Sequence, residues 1–177
     1  IFVEGVNSSI TSSSGAVNVT GIGTVSSAAL RLQNSGAVNS GSNAPITINV
    51  DSLSIDGTAA INSSLGPTTI LNRTAGTRID LGGADVLSGS PLTLGITDAE
   101  IDRVTASTIN IGNASSGPIT VSAAFSPALT PHLSLWTGEN IVDGNASGQD
   151  LTVNNLQLRA TTGIGAGNII ETTVANL

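Results

Sequence analysis

Three sets of carboxylates in this sequence have the residue types and spacing to do chemistry. Asp56 follows one pair of alternating aliphatics, Leu53 and Ile55, and Asp80 lies between the next, Ile79 and Leu81, so stacked strands would bring the two acids near each other, one register step apart. Two carboxyls roughly 6.5–9.5 Å apart are what an inverting glycoside hydrolase needs. Asp98 and Asp102 stand four residues apart, on one face of any helix formed there. Asp143-Gly144-Asn145, with Asp150 close behind, makes a corner of the kind Ca²⁺ favours, since that ion gathers six to eight oxygens from side chains and turns. Each set also has a plainer reading, and the plainer one is preferred here. Asp56 and Asp80 read as solvated strand residues, with Arg78 beside Asp80. Asp98 and Glu100 suit the first turn of a helix. The 143–150 segment lacks the alternating acids of an EF-hand loop and reads first as a turn.

The remaining reactive types are few. His132 sits between Pro131 and Leu133, and no serine lies in a Gly-x-Ser-x-Gly elbow that would give a histidine base its nucleophile. Gly163-Ile164-Gly165-Ala166-Gly167 has the glycines of a phosphate loop but no lysine after it, so it reads as a corner. Trp136 and Phe125 are the aromatic candidates for a surface contact. No catalytic residue, cofactor or metal is assigned; Asp143, Asn145 and Asp150 are the candidates should Ca²⁺ bind. Six Asn-x-Ser/Thr sequons, at Asn7, Asn18, Asn62, Asn72, Asn113 and Asn145, stand against about four from composition alone.

What must position these residues follows from the composition. The chain has 177 residues, five arginines, no lysine, twelve acids and a net charge of −7. That balance excludes a nucleic-acid footprint and a polybasic membrane patch. No apolar run approaches the ~20 residues needed to cross a bilayer as a helix. Without cysteine there are no disulfides, thiolate metal sites or cysteine nucleophiles. Hydrophobic residues reach 39%, enough for a core, but aromatics are only 2%, so the core is thin and built from small branched side chains. Gly, Ser, Thr and Asn supply 81 residues. Neither end has the look of a natural terminus, and the chain reads as one unit, 1–177, of a longer array.

The aliphatics recur. Pairs separated by one residue occur at Leu30/Leu32, Leu53/Ile55, Ile79/Leu81, Ile109/Ile111, Leu133/Leu135 and Leu156/Leu158, at intervals of 23, 26, 30, 24 and 23 residues. A second column follows at Val38, Ile61, Val86, Ile141 and Ile164. A third is expected at Ile46/Ile48, Thr69/Leu71, Leu92/Leu94, Ile119/Val121 and Leu151/Val153. Three short strands per cycle, each aliphatic on one face and polar on the other, make one coil of a parallel β-solenoid. Gly, Asn, Asp and Ser between them turn the corners. About seven coils of ~23 residues are expected, each burying its inner face against its neighbours. The segment 1–29 is less regular; Val17/Val19 and Ile22 to Val25 suggest one more coil. Two interruptions have local causes. Thr97 and Glu100 form a capping-box pattern that predicts a short inserted helix over 97–104. Pro127 and Pro131 exclude an interior strand, leaving 125–131 as a loop.

The stretch from Arg73 to Leu177 resembles the tandem repeats of very large bacterial surface proteins of the filamentous-haemagglutinin-like and autotransporter-adhesin type. Gly76-Thr77-Arg78-Ile79-Asp80-Leu81-Gly82-Gly83-Ala84-Asp85, the segment Leu94 to Val104, and Leu133-Ser134-Leu135-Trp136-Thr137 carry the likeness. The resemblance implies a right-handed parallel β-helix, displayed outside the cell or on the bacterial surface as part of a long rod, and no catalytic residues. The expected function is that of a structural, non-enzymatic module whose partners are identical or similar modules stacked end to end. An adhesin module binding glycan or host surface is the alternative. A polysaccharide-active β-helix enzyme and a pilin-like β-sandwich subunit rank lower, since sandwich strands need no common period.

Overall fold

In a computed structural model that describes residues 1–177, the alternating segments form short strands joined by tight corners. The first circuit runs through β1 (Phe2–Glu4), β2 (Ser9–Ser12) and β3 (Val17–Thr20). The second repeats it as β4 (Leu30–Gln33), β5 (Ala37–Ser40) and β6 (Ile46–Asn49). The third is β7 (Leu53–Ile55), β8 (Ala60–Asn62) and β9 (Pro67–Leu71). Each strand pairs in parallel with its counterpart one circuit on, so three sheets grow side by side. Alternation is the cause: Leu30 and Leu32 are buried while Arg31 between them is exposed. All strand-to-strand pairing along the chain is parallel, as in the β-solenoid class.

After β9 the circuit is broken. Strand β10 (Arg78–Leu81) pairs on one side with β14 (Ile119–Val121) and on the other with β11 (Thr93–Ile96), which follows it in sequence. The chain steps one layer ahead at β10, turns back through 82–92, and lays β11 alongside β7. It then passes α1 (Asp98–Ile101) and rejoins the older sheets as β12 (Val104–Thr105) on β8 and β13 (Thr108–Ile111) on β9. Later circuits contribute two strands each: β14 and β15 (His132–Thr137), β16 (Asn140–Asp143) and β17 (Leu151–Ala160), then β18 (Gly163–Ile164) and β19 (Thr172–Asn176). The second sheet ends at β12.

This inserted strand corrects the expected columns. Leu30 pairs with Leu53 in one sheet and Ile79 with Ile119 in another. Ile109, Leu133 and Leu156 instead continue the rungs of Val17, Ile46 and Thr68 in a third. Val38 and Ile61 lead to Val104 rather than Val86, and Ile141 and Ile164 belong to a different sheet. Thr68 and Ile70, not Thr69 and Leu71, face inward. A Leu-x-Leu pair looks the same in every sheet, so an extra strand shifts the frame without altering the pattern. Ile22 and Val25 are exposed; the first circuit buries Val3, Val17 and Val19, with Ile10 packed against them.

Thirty-three buried residues form one continuous core, almost all Ile, Leu, Val and Ala. Each Val, Leu or Ile buried there contributes roughly 1.5–3 kcal/mol. The loop at 125–131 has no strand of its own, as its prolines require, but Phe125 turns inward and is the largest fully buried side chain. The corner between β6 and β7 holds Asp51, only 8% exposed. Its Oδ1 accepts from the Arg73 and Thr74 amides (2.9 and 2.8 Å) and the Thr77 hydroxyl (3.0 Å), and its Oδ2 from the Thr74 hydroxyl at 2.5 Å. One carboxylate thus ties the start of the third circuit to its end.

Candidate functional site

The step of the chain at β10 leaves a break between β7 and β11, which lie side by side but exchange no ladder bonds. The outward-directed amides of β7 therefore need other acceptors, because an orphaned buried N–H costs as much as a lost hydrogen bond. Two carboxylates supply them. Asp85, on the returning loop, accepts from Leu53 N at 2.8 Å and from Gly95 N at 2.9 Å. Glu100, on α1, accepts from Ile55 N at 3.1 Å through one oxygen. Its other oxygen accepts from Thr97 N at 3.0 Å and from the Thr97 hydroxyl at 2.7 Å. The capping box expected from Thr97 and Glu100 forms, and the same glutamate also spans the seam. Burial pushes the Asp85 carboxyl up to about 7; the two amides pull it down, and the Glu100 charge adds to the rise.

The helix is shorter than the expected 97–104 segment, and its acids hold the chain rather than a cation. Asp98 accepts from Ser126 N at 2.7 Å and Asp102 from Ala128 N at 2.9 Å, so both carboxylates pin the proline-bearing loop. The Thr130 hydroxyl donates to the Val104 carbonyl and completes that attachment. Gly95 matters for the other side of the seam. A Cβ there would collide with the backbone of Ala84 and Asp85, the segment that delivers the Asp85 carboxylate. Gly95→Ala is expected to displace that segment and lower stability by about 1–3 kcal/mol, as overpacking does. Thermal unfolding measured beside the wild type checks this.

The structure brings Asp143, Asn145 and Asp150 together, as their spacing suggested, and adds Glu171. One oxygen from each of the three acids lies within 4.8 Å of the others. Asn145 N donates to Asp143 Oδ1 at 2.7 Å and its Nδ2 to Asp150 Oδ1; Asn168 Nδ2 donates to Asp143 Oδ2, and Glu171 N to Asp150 Oδ2 at 2.9 Å. All four oxygens of Asp143 and Asp150 thus receive N–H donors. Glu171 Oε2 is shielded from water and has no partner. Burial, followed by the neighbouring Asp150 and Asp143, pushes the Glu171 carboxyl up. These oxygens are of the type a hard divalent cation takes.

Asp56 and Asp80 do not meet across adjacent strands. Strand β11 stands between β7 and β10, and Asp80 accepts a hydrogen bond from the Ser122 hydroxyl at 2.5 Å. Burial outweighs that bond and raises the Asp80 carboxyl. Phe125, expected as a surface contact residue, is 1% exposed and forms a parallel bridge to Leu151. It faces inward because nothing else fills the corner beyond β12. Trp136 does face outward, stacked on the Arg159 guanidinium 4.3 Å from its ring centroid. His132 lies exposed at the start of the same strand, beside a shallow polar groove that Asn110, Ser134, Asn155 and Gln157 also line.

Asp85, Asp51 and Glu171 had no place among the sequence-derived candidates. The signal for Asp85 was the 30-residue interval with small residues, Gly82-Gly83 and Gly95, around it. Asp51 and Glu171 offered only an acid in a corner, a pattern shared with solvated turns. Compared with family models, with curated proteins and with solved structures, the chain matches none.

Proposed function

We propose that this chain is a structural module of an extracellular bacterial rod or fibre, a right-handed parallel β-helix of about seven coils that stacks end to end on identical or similar modules. It is a building material and not an enzyme. The kinship it would have is with the repeat regions of filamentous-haemagglutinin-like and autotransporter-adhesin surface proteins. The observation that carries the reading is the pair of open edges. Strands β1, β2 and β3 on one face of the stack, and β18 and β19 on the other, have a partner on one side only. Apolar side chains that would be covered by a next layer are exposed there: Ile1 and Phe2 at the first edge, Ile164, Ile169 and Leu177 at the second. Unpaired edges with apolar rungs template the addition of another strand layer. Continuing parallel ladders would cover both.

Light scattering across a concentration series tests this. The wild type is expected to gain mass with concentration. Ile169→Lys, at a position already 68% exposed, is expected to stay monomeric with unchanged circular dichroism. A wild type that remains monomeric at high concentration removes the support for self-stacking.

A second reading, an adhesin module that binds neutral glycan, is favoured by the outward row of Asn110, Ser134 and Gln157 beside Trp136. Uncharged donors and acceptors next to an aromatic face suit a sugar's hydroxyls and its apolar side. Silence of the protein on a glycan array, or binding unaffected by Trp136→Ala, counts against it.

A further inference from the structure

We propose that the corner closed by Asp143, Asp150 and Glu171 is a Ca²⁺ site, in which the ion clamps the last circuit of the solenoid onto the one before it. The inference stands apart from the stacking proposal and concerns each copy of the chain alone. Asp143 to Asp150 turn the corner between β16 and β17, and Asn168 to Glu171 turn the next one, between β18 and β19. A carboxylate oxygen from each acid lies within 4.8 Å of the other two. Oxygens held roughly 2.3–2.6 Å from one Ca²⁺ stand no more than ~5 Å apart, so a single ion can reach all three.

The observation that points to a ligand is Glu171 Oε2. This oxygen exposes less than 1 Å² to solvent and has no hydrogen-bond partner. A buried carboxylate oxygen without a partner calls for one, and beside two further carboxylates the partner that fits is a cation. No charged side chain fills that place. The donors that meet the cluster are the neutral amides Asn145 N and Nδ2, Asn168 Nδ2 and Glu171 N. They occupy one lone pair on each oxygen of Asp143 and Asp150 and leave the second free for an ion.

The loop suits calcium in particular. Oxygen-bearing side chains alternate at Asp143, Asn145 and Ser147, and Gly148 follows with φ +115°. This is the spacing of a Ca²⁺ loop, whose sixth residue is glycine because the chain turns sharply there. Asn145 and Ser147 stand where an EF-hand carries further acids, and Glu171 brings its carboxylate from the neighbouring circuit instead. Ser147 N donates to Asn145 Oδ1 at 3.1 Å and holds that side chain in the corner. Three carboxylates and a side-chain amide make an all-oxygen set drawn from two separate corners. Ca²⁺ accepts such flexible geometry, whereas Mg²⁺ demands a near-ideal octahedron and sheds its waters reluctantly.

Calorimetric titration of the chelator-treated chain with CaCl₂ tests the site. One ion per chain is expected, with a Kd between about 10⁻⁵ and 10⁻³ M, and MgCl₂ is expected to bind at least about tenfold more weakly. Glu171→Gln keeps the size of the side chain and removes its charge. It is expected to weaken Ca²⁺ binding about tenfold or more, with unchanged circular dichroism. Asp56→Asn, at an exposed acid outside the corner, is expected to bind as the wild type does. In amide hydrogen exchange, protection at Asn145, Ser147 and Glu171 is expected to rise with CaCl₂, on the order of 100-fold when the free ion is at about a hundred times Kd. Amides within β6 and β9 are expected to hold steady. No binding by about 10 mM CaCl₂ overturns the proposal, as does MgCl₂ binding equally well. Binding that survives intact in Glu171→Gln, or that Asp56→Asn weakens as much, marks the ion as diffuse countercharge on an acidic chain and overturns it too. Exchange at the corner that ignores CaCl₂ overturns it even if Glu171→Gln fails to fold.

Discussion

Phe125→Ala is expected to lower the stability of the chain by about 3–5 kcal/mol, the range seen when a buried ring is truncated and the cavity cannot collapse. The ring is the largest fully buried side chain, in a core otherwise made of small aliphatics. Its position explains the size of the effect. The second sheet stops at β12, and the segment from Phe125 to Thr130 crosses the gap where a strand would continue. Phe125 N donates to the Asp150 carbonyl at 2.8 Å, and Thr152 N donates to the Phe125 carbonyl at 3.1 Å, so the residue acts as a one-residue strand. Losing the ring removes the packing that seats both bonds and frees the start of β17. Phe125→Leu is expected to recover most of the loss by refilling the volume. Chemical denaturation with a two-state fit measures both. Equal stability of the alanine variant and the wild type would contradict the burial of Phe125.

Asp51→Ala is expected to cost about 3 kcal/mol, for a different reason. Removing the carboxylate strands two backbone amides, Arg73 N and Thr74 N, inside a corner that water reaches poorly, and each orphaned donor is worth roughly 1–3 kcal/mol. The Thr74 and Thr77 hydroxyls can rotate toward other acceptors and add less. Burial alone would raise this carboxyl; the Thr74 hydroxyl and amide, the Thr77 hydroxyl and the Arg73 amide outweigh it and hold it below the usual 3.8. Its contribution is therefore complete above that value and disappears as pH falls through the lower folded one. Asp85, Asp80 and Glu171 are shifted the other way and favour folding as pH falls from neutrality. The stability curve is thus expected to rise on mild acidification and to fall only below the ordinary carboxylate range. In Asp51→Asn the acid limb of that curve should flatten. A wild type most stable above pH 8 would contradict the assignment.

The alternation of aliphatic and polar residues was enough to read the strands, their parallel stacking and the thin core. It succeeded because a two-residue period has a single structural meaning once the pairs recur every 23 or so residues. The corner helix was legible for the same kind of reason, since Thr97 and Glu100 satisfy a local rule that needs no tertiary knowledge. The register failed at Ile79. Leu-x-Leu pairs do not say which sheet they join, and a strand that doubles back, β10 before β11, leaves the pattern intact while moving the later pairs at Ile109, Leu133 and Leu156 to another sheet; Leu151 and Val153 stay in the sheet of Ile46 and Ile48, as expected. The seam was hidden by the same event, because Asp85 gains its role only when β11 lies beside β7. Phe125 misled because a lone ring next to two prolines looks like a loop ornament. Its burial depends on the absence of a strand above β12, which no local sequence records. Of the acidic corner, the three residues close in sequence were found and Glu171, a full circuit away, was not.

The central claim, that the molecule is a segment of a rod extended through its open strand edges, is tested most directly by electron microscopy of the concentrated protein. Expected are unbranched filaments one solenoid wide, with a cross-β spacing of about 4.8 Å along their axis in diffraction from aligned specimens. Ile169→Lys should abolish them. Isolated particles at every concentration, or filaments whose strands run parallel to the axis, would contradict it.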